Sequence, residues 1–151
     1  MCIIRCIDNF ETPNSDIMKD NIILEKKSPY GLDETVQRIS ENALALGWTI
    51  PGIKEVDKMI FKNGGPVVLP VRLVELCHPQ YAGSMLMSDR TRFTALLMPC
   101  TIAVYEKKNG NVYVGFIDTK VTGNIFGGKI KKIMAGPITE DQNSILNFLN
   151  K

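Results

Sequence analysis

Three residues combine a reactive side chain with a position where chemistry is feasible: Cys77, His78 and Cys100. Cys77-His78-Pro79 stands where a Val- and Leu-rich run, 67–76, meets a helix start, with Pro79 at a favoured first helical position. Free amide hydrogens and the helix dipole at such a junction stabilise a thiolate and can lower a thiol pKa. Cys100 follows Pro99 at the head of the next expected strand, so neighbouring strands would bring Cys77 and Cys100 together. A redox thiol pair would follow, or a soft-metal or haem site with His78 as a further ligand. The competing reading is two small buried hydrophobes, since free cysteine is among the most buried residue types.

Cys2-x-x-x-Cys6 is the weaker candidate. Its thiols share a face in a helix or a strand, and with Cys77, Cys100 or His78 they would complete a four-ligand metal site. Otherwise they are free thiols on an arm. The chain has no C-x-x-C, and His78 is its only histidine. Gly123 to Lys129 fits the G-x-x-x-x-G-K part of a phosphate-binding loop, but Ile130 stands where the magnesium-binding hydroxyl belongs. Ile125 and Phe126 there read as core residues of a helix, and a helix–Gly–Gly–helix joint is expected. Lys129, Lys131 and Lys132 read as a solvated helix face. Glu75 near Arg72 reads as a strand salt bridge. No Ser–His–Asp arrangement or carboxylate pair can be argued, so the sequence carries no enzyme signature and the catalytic residues are unknown.

These residues need elements to hold them. The chain has 151 residues, 44% apolar and 23% charged, an ordinary globular composition. One domain is expected at 21–151, behind an N-terminal arm at 1–20. Strands are expected at 21–26, 48–50, 67–76, 101–107 and 111–117. Leu32, Val36, Ile39, Ala43 and Leu46 form one stripe of a helix stopped by Gly47. Short helices are expected at 54–61 and 80–87, and helical pieces at 119–126 and 129–134. A last helix should start at the capping-box pattern Thr139-Glu-Asp-Gln142. Asn109-Gly110 suggests a two-residue type I′ hairpin turn. That register places Ile102, Val104, Tyr113, Gly115 and Ile117 on one face, and Ala103, Tyr105, Val112, Val114 and Phe116 on the other. Both faces are apolar, and one helical layer covers only one, so a partner subunit is expected on the second.

The net charge of +2 gives no general attraction to nucleic acid. No charge-free run is longer than 13 residues, too short to span a bilayer. Arg5 and Asp8 interrupt the place of a signal-peptide apolar stretch, so a cytoplasmic protein with reduced cysteines is expected, without nucleic-acid or membrane partners.

Three segments together resemble a known family: Ser28-Pro-Tyr-Gly-Leu-Asp-Glu-Thr-Val36, Glu75-Leu-Cys-His-Pro79 and Met98-Pro-Cys-Thr-Ile-Ala-Val-Tyr-Glu106. They are similar to the domain-of-unknown-function 302 family over about residues 22–149. In that family the junction is associated with Cys-Asn-Pro, and His78 stands here in the Asn place. The resemblance implies an α+β fold of β-α-β(4)-α kind, similar in outline to the TATA-binding-protein fold, with an antiparallel sheet, helices on one face, and a homodimer. It implies no activity. The expected function is a homodimeric ligand-binding or regulatory module, with a groove between sheet and helices for a small molecule. The alternative is a thiol-dependent redox, metal or haem-binding protein using Cys77 and Cys100.

Overall fold

In the computed structural model, which describes residues 22–151, the first long helix shows how the sheet acquires its cover. α1 (Leu32–Ala45) carries Asp33 and Glu34 in its first turn, where the dipole favours acids. Its stripe buries Ile39 and Ala43 completely. Gly47, at φ +82°, turns the chain out of the helix, a conformation that other residues adopt only at a cost. Thr35, also fully buried, donates to the Gly31 carbonyl at 2.7 Å and pairs with the Ser28 hydroxyl at 2.6 Å.

The remaining elements follow in chain order. β1 (Ile23–Lys27) precedes α1. β2 (Ile53–Glu55), α2 (Val56–Lys62), β3 (Val71–Leu76), α3 (Pro79–Leu86) and a 3₁₀ turn (Arg92–Leu97) follow it. β4 (Cys100–Glu106) and β5 (Val112–Ile117) form the hairpin. α4 (Thr119–Phe126), α5 (Gly128–Ile133), a π-helical turn (Met134–Ile138), α6 (Thr139–Ile145) and a 3₁₀ turn (Asn147–Asn150) complete the chain. The strands make one five-stranded sheet in the order β1-β5-β4-β3-β2, antiparallel throughout. The fold is therefore α+β, with β-α-β(4)-α order plus two inserted helices, α2 and α3, and its helices against one face of the sheet. Among the described residues, no helix is long and apolar enough to cross a membrane.

The hairpin corrects the expected register. Lys107 N donates to Asn111 O at 3.0 Å and Gly110 N to Lys107 O at 2.9 Å, so the loop has three residues. Only Gly110 has positive φ, as in a type I turn with a G1 bulge. The Asn109 side chain accepts from Asn111 N at 3.0 Å, which ties down the tip without a left-handed Asn109. Val104 then faces Val114 and Tyr105 faces Tyr113. A one-residue shift moves side chains between faces. Ile102, Val104, Val112, Val114 and Phe116 are buried under the helices, while Ala103, Tyr105, Tyr113, Gly115 and Ile117 belong to the opposite face.

Other expectations shift for local reasons. The strand placed at 48–50 is a single bridge between Thr49 and Cys77. Pro51-Gly52 interrupts this edge, and regular pairing resumes at Ile53. The strand at 67–76 begins only at Val71, because Pro70 has no amide hydrogen for the ladder. Thr139 and Gln142 do not form a capping box. The preceding π-helical turn runs straight into α6, and Thr139 donates instead to Met134 O at 2.6 Å, while Gln142 Nε2 donates to Ile117 O at 2.9 Å. Glu75 and Arg72 lie on opposite faces of β3, so Glu75 pairs with Lys54 at 2.7 Å and Arg72 with Asp57 at 2.6 Å. Gly127-Gly128 does join two helices, both glycines having positive φ. Ile125 and Phe126 are exposed rather than core, because the inward side of α4 is taken by Thr119, Thr122 and Gly123.

Candidate functional site

β3 ends beside the start of β4, and this end of the sheet holds the residues singled out in the sequence. Leu76 lies directly opposite Cys100 in the ladder. Cys77, one residue further along, exchanges backbone hydrogen bonds with Thr49 at 3.0 and 2.8 Å. Both cysteines are free thiols and half-buried. They line a small cavity of about 20 Å³, together with His78, Met85 and Met98. Burial, and then the charge that Cys77 would carry, push the Cys100 thiol up to about 11. Cys100 is therefore a protonated thiol at neutral pH, not a ready nucleophile. Cys2 and Cys6 lie outside the described residues. Among the described residues, no three His, Cys, Asp or Glu side chains converge to hold a metal.

His78 is the residue before α3, and its ring does not cap the helix. It stacks on Tyr81 with centroids 3.9 Å apart and meets Trp48 edge-on at 5.5 Å. Its Nδ1 is buried and has no hydrogen-bond partner. Trp48 Nε1 donates to Asp141 Oδ2 at 2.9 Å, tying the aromatic group to α6. Burial, followed by the Asp141 charge, raises the Tyr81 hydroxyl above its ordinary value.

A larger cavity of about 230 Å³ adjoins the thiols between β4, β5 and the C-terminal helices. Trp48, Leu76, Pro99, Cys100 and Ile138 are common to the walls of both cavities. No charged residue lines the larger one. Its polar side chains are mostly engaged elsewhere: Thr122 with Asp118 O at 2.8 Å, Thr119 with Thr139 at 2.8 Å, and Gln142 with Ile117 O. The surface offered to an occupant is accordingly apolar. At its rim Leu96 is 90% exposed, and Phe93 meets exposed Phe126 at a tilt, with ring centroids 5.6 Å apart.

Sequence reasoning places Cys77, His78 and Cys100 at one end of the sheet and expects a groove between sheet and helices, but misses Trp48, Tyr81 and Asp141 and names no residue lining the larger cavity. Trp48 was a findable signal, as the only tryptophan and next to a helix-stopping glycine. Gly123 belongs to no phosphate loop. It is buried in α4, where a Cβ would come within 2.9 Å of Ala135 N.

The family model described as Domain of unknown function DUF302 matches residues 24–149. The chain belongs to the DUF302 family. A solved structure described as an uncharacterized conserved protein DUF302 from Bacillus stearothermophilus is similar in fold, with a TM-score of 0.71 at 20% identity. The similarity covers 84% of this chain and 97% of that one. No protein of curated function matches the sequence. The thiol junction, both cavities and all five strands except the first residue of β1 lie inside the matched span, so this DUF302 chain carries its candidate site within the domain.

Proposed function

We propose that this DUF302 protein is a cytoplasmic, homodimeric module that binds a small apolar ligand in the cavity between β4, β5 and the C-terminal helices. The observation that carries the reading is the size of an uncharged cavity with internally satisfied polar groups, about 230 Å³. An apolar cavity of about 150 Å³ accommodates benzene, so a naphthalene-sized aromatic suits this one. The second copy would cover the open face of the sheet. Tyr105, Tyr113, Ala103 and Leu73 offer apolar area there, and the charges occur in opposite-sign pairs, Glu25 with Lys107 and Lys54 with Glu75.

Trp48 makes the ligand reading testable, because the only tryptophan lines the cavity. 2-Bromonaphthalene should quench its fluorescence saturably, and Thr122→Phe, which fills the cavity, should abolish the saturable phase. Quenching linear in probe and indifferent to that substitution would sink the reading. Light scattering at micromolar concentration should return twice the mass of one chain.

The place of Cys77 and Cys100 at the wall of one small cavity favours a second reading, a thiol-based role. The raised pKa of Cys100 counts against its nucleophilic form and leaves soft-metal binding or slow oxidation.

A further inference from the structure

We propose that the mouth of the larger cavity docks on an anionic lipid surface, from which the apolar ligand enters. The inference deepens the apolar-ligand reading and rests on it for the cargo, while the docking is tested without any ligand. Leu96 and Ile117 line the cavity yet are 90% and 45% exposed, so its apolar wall continues onto the surface of the molecule. Two elements extend that surface. Phe93 belongs to the same 3₁₀ turn as Leu96, and its ring meets that of Phe126 on α4 with centroids 5.6 Å apart. Phe126 stands one helical turn beyond Thr122, a residue of the cavity wall, and Ile125 beside it is also exposed. An exposed group of large apolar side chains of this kind marks an interaction site.

Charge decides the occupant. The segments that build the mouth and run on from it, 89–97 and 117–133, hold six exposed cations: Arg90, Arg92, Lys120, Lys129, Lys131 and Lys132. They hold two acids, Asp89 and Asp118, and Asp118 is engaged by the Lys120 and Val121 amides as the N-cap of α4. Six less two leaves a surplus of four, whereas the whole chain has a net charge of only +2. The positive charge of the protein is thus concentrated on the elements that carry the apolar patch. Two copies meeting through this patch would bring like charges together. Anionic headgroups instead attract each Lys or Arg held at the surface, roughly fivefold in affinity per residue. Apolar side chains entering the headgroup boundary, with cations around them, are how a protein lies on a bilayer without spanning it. The expectation of no membrane partner rests on the lack of a spanning segment, which such a contact does not need.

The test sediments the full chain with extruded vesicles of equal parts phosphatidylglycerol and phosphatidylcholine, and with vesicles of phosphatidylcholine alone. Binding is expected to the anionic vesicles only, and it should weaken as salt rises. Lys129→Gln with Lys132→Gln should weaken it roughly fivefold per charge. Phe93→Ser with Phe126→Ser should weaken it about tenfold, through lost apolar insertion. All four residues are exposed, so both double variants should fold normally. Thr122→Phe should abolish 2-bromonaphthalene quenching and leave vesicle binding intact. The lysine pair should do the reverse, so docking and ligand binding fail separately. The proposal is overturned if the chain stays in the supernatant with anionic vesicles at low salt, if it binds neutral and anionic vesicles alike, or if either double variant leaves binding unchanged. It is overturned equally if the phenylalanine pair lowers the mass of the lipid-free protein, which would put a second copy of the chain on the patch.

Discussion

The same five strands present two different surfaces. On the covered face Val74, Val104 and Val114 are wholly buried and meet helices. On the open face Tyr105 donates to Glu25, Lys107 donates to Glu25 at 2.6 Å, and Lys54 pairs with Glu75 at 2.7 Å. Alternation along each strand separates the two surfaces, and the hairpin bulge decides which residue belongs to which. The comparison teaches where chemistry can gather. The open face satisfies its polar groups pairwise within the sheet. The covered face carries an apolar core along β4 and β5, with two cavities where β3 stops and β4 starts beside Cys77, His78 and Cys100, while a polar groove lined by Asp33, Gln37, Glu55 and Arg72 opens between α1 and the β2–β3 edge.

If the covered face supplies most of the stability, truncation there should have the largest effect. Ile39, fully buried on α1, is the sharpest probe. Ile39→Ala should cost about 3–4 kcal/mol in urea unfolding, transfer and cavity losses together. A loss below about 1 kcal/mol, the range expected of open-face pairs, would erase the distinction.

The thiol end should reveal itself in alkaline solution. Cys100 titrates in the folded chain at about 11 rather than at its ordinary 9. Between those values the unfolded chain has lost a proton that the folded chain keeps. This contribution is therefore fully present below about pH 9 and disappears as pH rises through 11, a loss on the order of 2 kcal/mol. Cys100→Ala should flatten the fall in urea midpoint over that window. The part that remains at higher pH belongs to Tyr105 and Tyr81, whose hydroxyls are also raised, by burial and by Glu25 and Asp141 respectively.

Four of the five strands, the α1 stripe and the Gly127-Gly128 joint were legible in the sequence, because each rests on periodicity or on turn residues, whereas the strand expected at 48–50 is a single bridge and β2 is Ile53–Glu55. The hairpin register was not legible either. Asn-Gly fits both a two-residue turn and the tip of a three-residue one, and the difference is one hydrogen bond from Asn111 N to the Asn109 side chain. Glu75 and Arg72 misled because separation in sequence was read without strand parity. Asp141 stayed hidden because its contact with Trp48 spans 93 residues and depends on how α6 is docked.

That long-range contact offers a mid-sized test of how the covered face is closed. Asp141→Asn keeps the shape of the side chain and removes the charge to which Trp48 Nε1 donates. It should cost about 1–2 kcal/mol, since hydrogen bonds to charged groups exceed neutral ones. It should also shift the alkaline titration of Tyr81, which shares Asp141. A neutral outcome in both measurements would mean that α6 is held by apolar packing alone.

The smallest effect belongs to the open face. Glu25→Gln removes the charge that meets Tyr105 and Lys107 while keeping the shape of the side chain. Lys107 is 40% exposed along its side chain and also lies 4.1 Å over the Tyr113 ring, so it retains solvent and a cation–π contact. Such partly screened pairs contribute about 0.2–1 kcal/mol, and the urea midpoint of the variant should move within that range. The Tyr105 hydroxyl should titrate lower than in the parent, though still above its ordinary value of 10, because burial, the leading cause of its shift, remains. The proposed dimer makes this the informative case. If a second copy covers the open face, Glu25→Gln acts on a desolvated cluster, and its cost must grow and become dependent on protein concentration. If the face meets only water, the cost stays small and the same at every concentration, and the two surfaces of the sheet differ in solvent as well as in residue type.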